Sequence, residues 1–178
     1  MRWNRTVVCA FLVAAVGGIL RAQADSDVLS VRIVPTNFAD AGPRGITLAG
    51  PSQHFSVVIT NIGRDSIRLW RQTCSWGYAN LSFEAKDANG ATVAVTKKQR
   101  GWEKNFPDWI TIPPGDHFVV DVAFDVASWQ NSPLPKAGQQ KLVSLRAFYE
   151  IPADPETKAN KVWVGKVASP QNMYAIFH

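Results

Sequence analysis

The sequence predicts an all-β domain, a single antiparallel β-sandwich of about seven to nine strands. Short runs rich in Val, Ile, Leu and Phe recur at roughly ten-residue spacing, and turn-forming Gly, Pro or Asn follows most of them. Several runs alternate apolar and polar residues, as strands with one buried face do. Helical periodicity is hard to find; the one candidate turn, 154–160 with Pro155 at its start, could equally be a loop.

Each strand predicted before residue 100 is bounded by a turn signal. Pro35 ends the first run because proline lacks the N–H that a strand ladder requires. The segment 61–65 turns the chain after the second run, and Asn89-Gly90 is a strong hairpin signal because both residues tolerate positive φ. The strands predicted here are Val28–Val34, His54–Thr60, Ser66–Arg71, a run through Leu81, Phe83 and Ala85, and a returning run through Val93 and Val95.

The second half continues this succession of strands and turns. Pro113-Pro114-Gly115 forms a tight turn after a strand that carries Ile110 and Ile112. The run Phe118–Phe124 alternates, so its residues 118, 120, 122 and 124 are expected to point inward. The remaining strands are predicted over Leu142–Ile151, Val162–Val167 and Met173–Phe177, with Trp129 and Trp163 as ordinary packing residues.

Two local patterns are similar to those of a known class of domain. One is Phe55–Asn61 followed by Ile67–Leu69, and the other is Ile112–Asp116 followed by Phe118–Val122. Together they resemble the Ig-like or fibronectin-type-III-like β-sandwich domains of exported bacterial proteins, over roughly the middle two-thirds of the domain. The resemblance implies an Ig-like sandwich and carries over no functional residue.

The first 24 residues are predicted to be a cleaved signal peptide. Arg2 and Arg5 give a positive start, and Val7–Leu20 is an apolar run of about 14 residues, short for a membrane span but suited to a signal core. Ala22-Gln23-Ala24 fits a signal-peptidase site. We therefore expect one domain over 25–178 that works outside the cytoplasm, either periplasmic or secreted.

The charge of the expected mature chain is close to balanced. The formal net charge of the whole chain is +5, but removing the three leader arginines from its 19 basic residues leaves 16 against 14 acidic residues. This balance argues against nucleic acid or an anionic membrane surface as the partner. The mature part contains no second apolar run of membrane-spanning length, so no transmembrane segment is expected there.

Two aromatic-rich segments form the candidate binding surface. Lys97–Trp109 combines four basic residues with three aromatic ones, and Cys74–Tyr78 is a second such loop. A flat ring with polar neighbours suits stacking on a sugar face or anchoring a protein partner. The alternative is that these rings close the ends of the sandwich beneath Lys and Arg stems. The candidate binding residues are Trp76, Tyr78, Arg100, Trp102, Lys104, Asn105 and Trp109.

Neither a metal site nor a cofactor site is predicted. His54 and His117 with Cys74 and Met173 invite a blue-copper interpretation, but they lack the clustered spacing of such sites, and no zinc spacing is present. The sequence has no Gly-x-Ser-x-Gly elbow and no glycine-rich phosphate loop. We therefore expect a protein that is not an enzyme.

The sequence favours an exported, non-catalytic binding module for an unknown protein or carbohydrate partner. One alternative is a secreted proteinase inhibitor that presents Asn105–Asp108 or Ser132–Pro135, since proline limits the entropy lost on binding. The other is a structural accessory domain of an exported complex, with its rings buried and one sheet edge paired with another chain.

Overall fold

The computed structural model describes residues 28–37, 43–48, 54–87, 89–103 and 105–178, and over these ranges the chain is all-β. The predicted signal peptide, residues 1–24, lies outside the described residues. No helix within those ranges is long and apolar enough to cross a membrane. In chain order the elements are β1 (Leu29–Val34), β2 (Arg44–Thr47), β3 (Phe55–Asn61), β4 (Ile67–Trp70), α1 (Ser75–Tyr78), β5 (Leu81–Lys86), β6 (Thr92–Lys97), β7 (Trp109–Ile112), β8 (His117–Val122), β9 (Trp129–Gln130), β10 (Gln140–Ile151), α2 (Pro155–Asn160), β11 (Gly165–Ala168) and β12 (Asn172–Phe177).

One sheet has three strands in the order β1-β3-β8 with both pairings antiparallel, and β4 and β7 form a separate two-stranded antiparallel sheet. β4 follows β3 after a turn, and β7 precedes β8 before another turn. The two chain segments that pair as β3 and β8 therefore pair again as β4 and β7. Asn61 lies fully buried at this break, where its side-chain amide donates to the carbonyls of Ile112 at 2.9 Å and Asp65 at 2.8 Å. These bonds join the two parts of the ladder, so β4 and β7 are positioned by the central strand of the sheet.

The larger sheet has the order β2-β12-β10-β5-β6-β9, and β11 pairs with the C-terminal part of β10. Its pairings are antiparallel, as predicted, except that β2 runs parallel to β12. The sequence did not predict β2, because its four residues lie among Gly and Pro residues typical of loops. Its backbone instead pairs with β12, and β2 is the edge strand of this sheet.

Aromatic side chains from both sheets meet in one hydrophobic core. The rings of Phe55 on β3 and Phe83 on β5 lie 5.8 Å apart, and Phe124 lies 5.0 Å from each of them. Trp129 completes the group at 5.4 Å from Phe83. Such edge-on and tilted packing is favourable for rings, and it joins the faces of the two sheets.

Three predictions about individual segments differ from the structure. Phe118 is only partly buried, whereas the other three residues predicted to point inward are buried. The strand predicted over 162–167 begins only at residue 165, because the backbone N–H groups of Val162 and Trp163 donate to the carbonyls of Thr157 and Arg68 instead. The sequence left 154–160 as either one helical turn or a loop, and the structure shows the short helix α2 there. A capping box formed by Asp154 and Thr157 begins this helix.

Candidate binding site

The one-turn helix α1 lies between β4 and β5 and organises the candidate site. Cys74 precedes it and is 2% exposed, with its Sγ 3.2 Å from the carbonyl oxygen of Arg71 and 3.6 Å from that of Asp108. Gly77 packs so closely on the backbone of Arg71 that a Cβ would lie 2.6 Å from the Arg71 carbonyl carbon. The sequence predicted a loop here, because a four-residue helix is too short to show a helical period.

The segment 98–108, here called the 98–108 loop, is fixed to α1 and β4. The Ser75 backbone N–H donates to Asn105 Oδ1 at 2.9 Å, and Asn105 Nδ2 donates to the Ser75 hydroxyl at 2.7 Å. At the end of the loop the Arg71 N–H donates to the Asp108 carbonyl at 2.9 Å, and the Arg71 Nε lies 3.5 Å from the Asp108 carboxylate. The Thr73 hydroxyl donates to the same carboxylate at 3.3 Å. The loop is therefore braced on both sides of residues 106 and 107.

One group of rings joins α1 to the core. The buried ring of Trp70 lies 5.8 Å from the ring of Trp76 and 6.2 Å from that of Trp109. Trp76 and Trp109 are each partly buried and pack against the core. The guanidinium of Arg68 lies 5.3 Å from the centroid of Trp109. Trp76 and Trp109 therefore pack against the core and still expose part of their rings to solvent.

A second group of rings holds an exposed cation. The guanidinium of Arg100 lies 3.9 Å from the ring centroid of Trp102 and 4.4 Å from that of Tyr78. The two rings meet edge to face at 5.7 Å. Cation–π contacts of this kind restrict an otherwise flexible arginine while leaving its N–H donors accessible.

Below this exposed cation lies a second, partly buried one. Lys97 Nζ lies 4.0 Å from the ring of Trp129 and 5.6 Å from that of Tyr78. Burial lowers the pKa of Lys97, the nearby charge of Arg100 lowers it further, and the Asp125 carboxylate partly opposes both effects. Burial alone would raise the pKa of Asp125, but hydrogen bonds from Ser128 and Ala127 and the charge of Lys97 hold it below its ordinary value.

Phe106 is the most conspicuous side chain of the 98–108 loop. It is 76% exposed, more than any other large hydrophobic residue in the described part of the chain. Asn105 braces the loop on one side of it, and Pro107 follows directly. The candidate residues predicted from sequence did not include Phe106, although a phenylalanine between Asn and Pro in a polar segment is a signal for an exposed ring.

The structure brings six of the seven predicted site residues together around α1. Trp76 and Tyr78 lie on the helix, and Asn105 is hydrogen-bonded to it. The remaining three pack against the first two rings or their neighbours: Arg100, Trp102 and Trp109. Lys104 lies outside the described residues. That these residues bind a partner stays a prediction.

A cleft of about 450 Å³ adjoins α1. It lies between the helix, the beginning of β5 and the chain that leaves β10 for α2. Trp70 and Trp76 form an aromatic wall, and Asn80 and Glu150 contribute polar groups. The described residues contain no group of three or more His, Cys, Asp or Glu side chains placed to hold a metal ion.

Comparisons with protein-family models, curated proteins and solved structures find no match to this chain.

Proposed function

We propose that this protein is an exported, non-catalytic binding module with an Ig-like β-sandwich fold, and that it recognises a protein partner through the surface of the 98–108 loop. The observation that carries the proposal is Phe106, which is 76% exposed on a loop braced by Asn105 and Asp108. An aromatic side chain kept in water costs free energy in the unbound protein, and burial against a partner recovers about 1.5–3 kcal/mol.

The brace supports recognition because a loop that is already ordered loses little entropy when it binds. Asn105 and Asp108 fix the backbone on both sides of Phe106, and Pro107 fixes one φ angle within it. Binding then needs only the Phe106 side chain to become ordered. Aromatic anchors in such positions dominate the energetics of protein interfaces.

Arg100 and Trp102 of the same loop, with Tyr78 against the Arg100 guanidinium, support a protein rather than a carbohydrate as the partner of this surface. Protein interfaces are enriched in aromatic residues and arginine, and they surround an apolar anchor with polar donors. Phe106 has no hydrogen-bonding group, so it suits an apolar pocket of a partner better than the hydroxyl-rich surface of a sugar.

The non-catalytic part of the proposal rests on the chemistry around α1. The Cys74 thiol is buried against backbone carbonyls, so a substrate has no path to it as a nucleophile. Export is supported by the sequence of the leader.

A proteinase inhibitor is the second candidate, and the same loop favours it. Phe106-Pro107 is an exposed peptide unit on a braced loop, which is the form in which an inhibitor occupies an active site. Stoichiometric inhibition of a panel of secreted cysteine and serine proteases, lost in Phe106→Ala, would identify the partner as a protease. Absence of inhibition across the panel leaves the general binding proposal in place and removes this candidate.

The proposal is tested with three immobilised proteins: the mature wild type, Phe106→Ala and Met173→Ala. Met173 is a matched control, because it is 50% exposed and lies on β12 of the larger sheet. We expect at least one protein of the extracytoplasmic fraction to be retained by the wild type and Met173→Ala but not by Phe106→Ala. If all three retain the same proteins, or none, the proposal is wrong.

A further inference from the structure

We propose that two copies of this chain form a symmetric dimer by pairing their β8 strands antiparallel, a contact that shares no residue with the 98–108 loop. β8 is an edge strand, since β3 is the only strand that pairs with it in the described part of the chain. Proline, lysine and bulges are the usual devices by which proteins keep an exposed edge from pairing. The six residues of β8 include neither proline nor lysine, and their register with β3 is continuous, so this edge is open to a second strand.

The backbone of β8 presents alternate residues to this open edge. The Asn61 N–H donates to the Asp116 carbonyl at 2.9 Å, which fixes where the hydrogen-bonded pairs of the β3–β8 ladder fall. By the alternation of an antiparallel ladder, His117, Val119 and Asp121 then direct their N–H and C=O groups away from β3. In agreement, the His117 N–H donates to the Asp116 carboxylate at 2.8 Å. The outward backbone groups of Val119 and Asp121 have no partner among the described residues.

One antiparallel register between two β8 strands is self-complementary. When the two-fold axis passes beside Val119, that residue lies opposite its own copy, and His117 lies opposite Asp121 of the second copy. The Val119 N–H then donates to the Val119 carbonyl of the second copy, and the Asp121 N–H to the His117 carbonyl of the second copy, each bond occurring twice by symmetry. An imidazole N–H also donates to a carboxylate oxygen, so the side chains of each polar pair match. A register shifted along the strand loses both His117–Asp121 pairs, which is why a second copy fits this edge better than an arbitrary strand.

The outer face of the sheet continues across the same axis. Val119 is 44% exposed and lies opposite the partly buried Val58 of β3. The proposed register joins these two valines to the same two of the second copy in one apolar stripe, with polar pairs on both sides. The Ser56 hydroxyl donates to Asp121 Oδ1 at 3.0 Å, so the other carboxylate oxygen is left for His117 of the second copy.

Phe118, on the inner face of β8, gains cover in this register. It packs against the core but is only partly buried, unlike Val120 and Val122 of the same face. The register places Phe118 opposite Val120 of the second copy, in the closely spaced type of antiparallel pair that lacks hydrogen bonds. A second β8 would therefore complete the burial of the one inner-face residue that a single chain leaves partly exposed.

The first test is the oligomeric state of the full mature chain, measured by analytical ultracentrifugation over a series of concentrations. A six-residue edge makes a small interface, so we expect a reversible dimer with a Kd of about 10 µM. Val119→Lys removes the Val–Val contact and places two ammonium groups at the axis, so we expect the Kd to rise at least about tenfold. Leu142→Lys is the matched control, because Leu142 is 45% exposed but lies on β10, which has a strand on each side.

A cysteine at the axis tests the register, and it does so even if Val119→Lys fails to fold. Residues that face each other in a hydrogen-bonded antiparallel pair have Cα atoms about 5.5 Å apart, within the range that a disulfide spans. With oxidised glutathione as the oxidant, Val119→Cys should therefore form a disulfide-linked dimer, whereas Leu142→Cys should not. Cys74 is buried, so its thiol does not compete.

A chain that stays monomeric up to about 1 mM would overturn the proposal and leave β8 to a strand of another protein or to none. A dimer that Val119→Lys weakens no more than Leu142→Lys would also overturn it, and so would equal cross-linking of Val119→Cys and Leu142→Cys. Phe106→Ala should remain dimeric, so failure of the protein-partner proposal can be recognised separately.

Discussion

The side chain of Asn105 forms two hydrogen bonds to Ser75. Asn105 Oδ1 accepts from the Ser75 backbone N–H at 2.9 Å, and Asn105 Nδ2 donates to the Ser75 hydroxyl at 2.7 Å. The pair joins the 98–108 loop to α1 across 30 positions of sequence. α1 also carries Trp76, which packs on Trp70, and Tyr78, which packs on Trp102. The contact therefore holds the loop next to both of these ring pairs.

Asn105→Ala should loosen the loop without unfolding the domain. The loss of two partly buried hydrogen bonds costs about 1–2 kcal/mol, which lowers the Tm by roughly 2–8 °C in a domain of this size. Asn105→Asp keeps the acceptor and should lose less. Thermal unfolding and amide hydrogen exchange of residues 99–108 measure the two effects. If exchange in the loop is unchanged in Asn105→Ala, the brace does not order it.

Gly77→Ala should destabilise the protein strongly. A Cβ at this position would overlap the Arg71 carbonyl group, which is backbone and cannot move without displacing β4. We expect a loss of about 3 kcal/mol or more, the range of severe steric substitutions. Gly101→Ala is the control, because a Cβ there meets no atom within 4 Å and should change stability by less than about 0.5 kcal/mol. Denaturant unfolding compares them, and equal midpoints would refute the close packing of α1.

Arg100→Ala should expose the rings that its guanidinium covers. The cation lies 3.9 Å from Trp102 and 4.4 Å from Tyr78, so its removal lets water reach both faces. We expect tryptophan emission to shift to longer wavelength and stability to fall by about 0.5–1 kcal/mol. Arg64→Ala, an exposed arginine in the turn after β3, should change neither. An unchanged emission spectrum in Arg100→Ala would show that the stacked arrangement does not persist in solution.

The sequence predicted the fold more completely than the site, for a physical reason. The core face of β5 follows from strict alternation of apolar residues, a local signal that burial on one face creates. The parallel pairing of β2 with β12 depends on residues more than 120 positions apart, and no local pattern encodes it. The later start of β11 likewise depends on distant acceptors, since Trp163 donates to Arg68.

The candidate site shows the same division. Composition alone identified the aromatic segments, because tryptophan next to lysine and arginine is conspicuous in a sequence. Which rings pack and which project depends on tertiary contacts. Trp70 is buried on β4 against the rings of Trp76 and Trp109, whereas Phe106 lies on the 98–108 loop and is 76% exposed.

Stability at alkaline pH should depend on Tyr149. Burial raises the pKa of Tyr149 in the folded protein above its unfolded value near 10, so only the unfolded chain ionises as pH passes 10. The stabilisation is complete below pH 10 and is lost above it, by about 1.4 kcal/mol at pH 11. Tyr149→Phe should remove the decrease in the free energy of unfolding that Tyr149 causes above pH 10. It should leave the free energy of unfolding at pH 7 nearly unchanged.

Urea unfolding at pH 7, 10 and 11 measures this difference. Burial also raises the pKa of Tyr174, so a smaller alkaline loss should persist in Tyr149→Phe. Identical losses of stability in Tyr149→Phe and the wild type would contradict the buried position of the Tyr149 hydroxyl.

The central claim is that Phe106, on its braced loop, anchors a protein partner. Its most direct test is the Kd of the purified partner for the wild type, Phe106→Ala and Met173→Ala, measured by titration calorimetry. The account predicts that Phe106→Ala weakens binding at least 30-fold, the effect of losing about 2 kcal/mol at an interface anchor, while Met173→Ala stays within about twofold. Equal affinities for Phe106→Ala and Met173→Ala would contradict it.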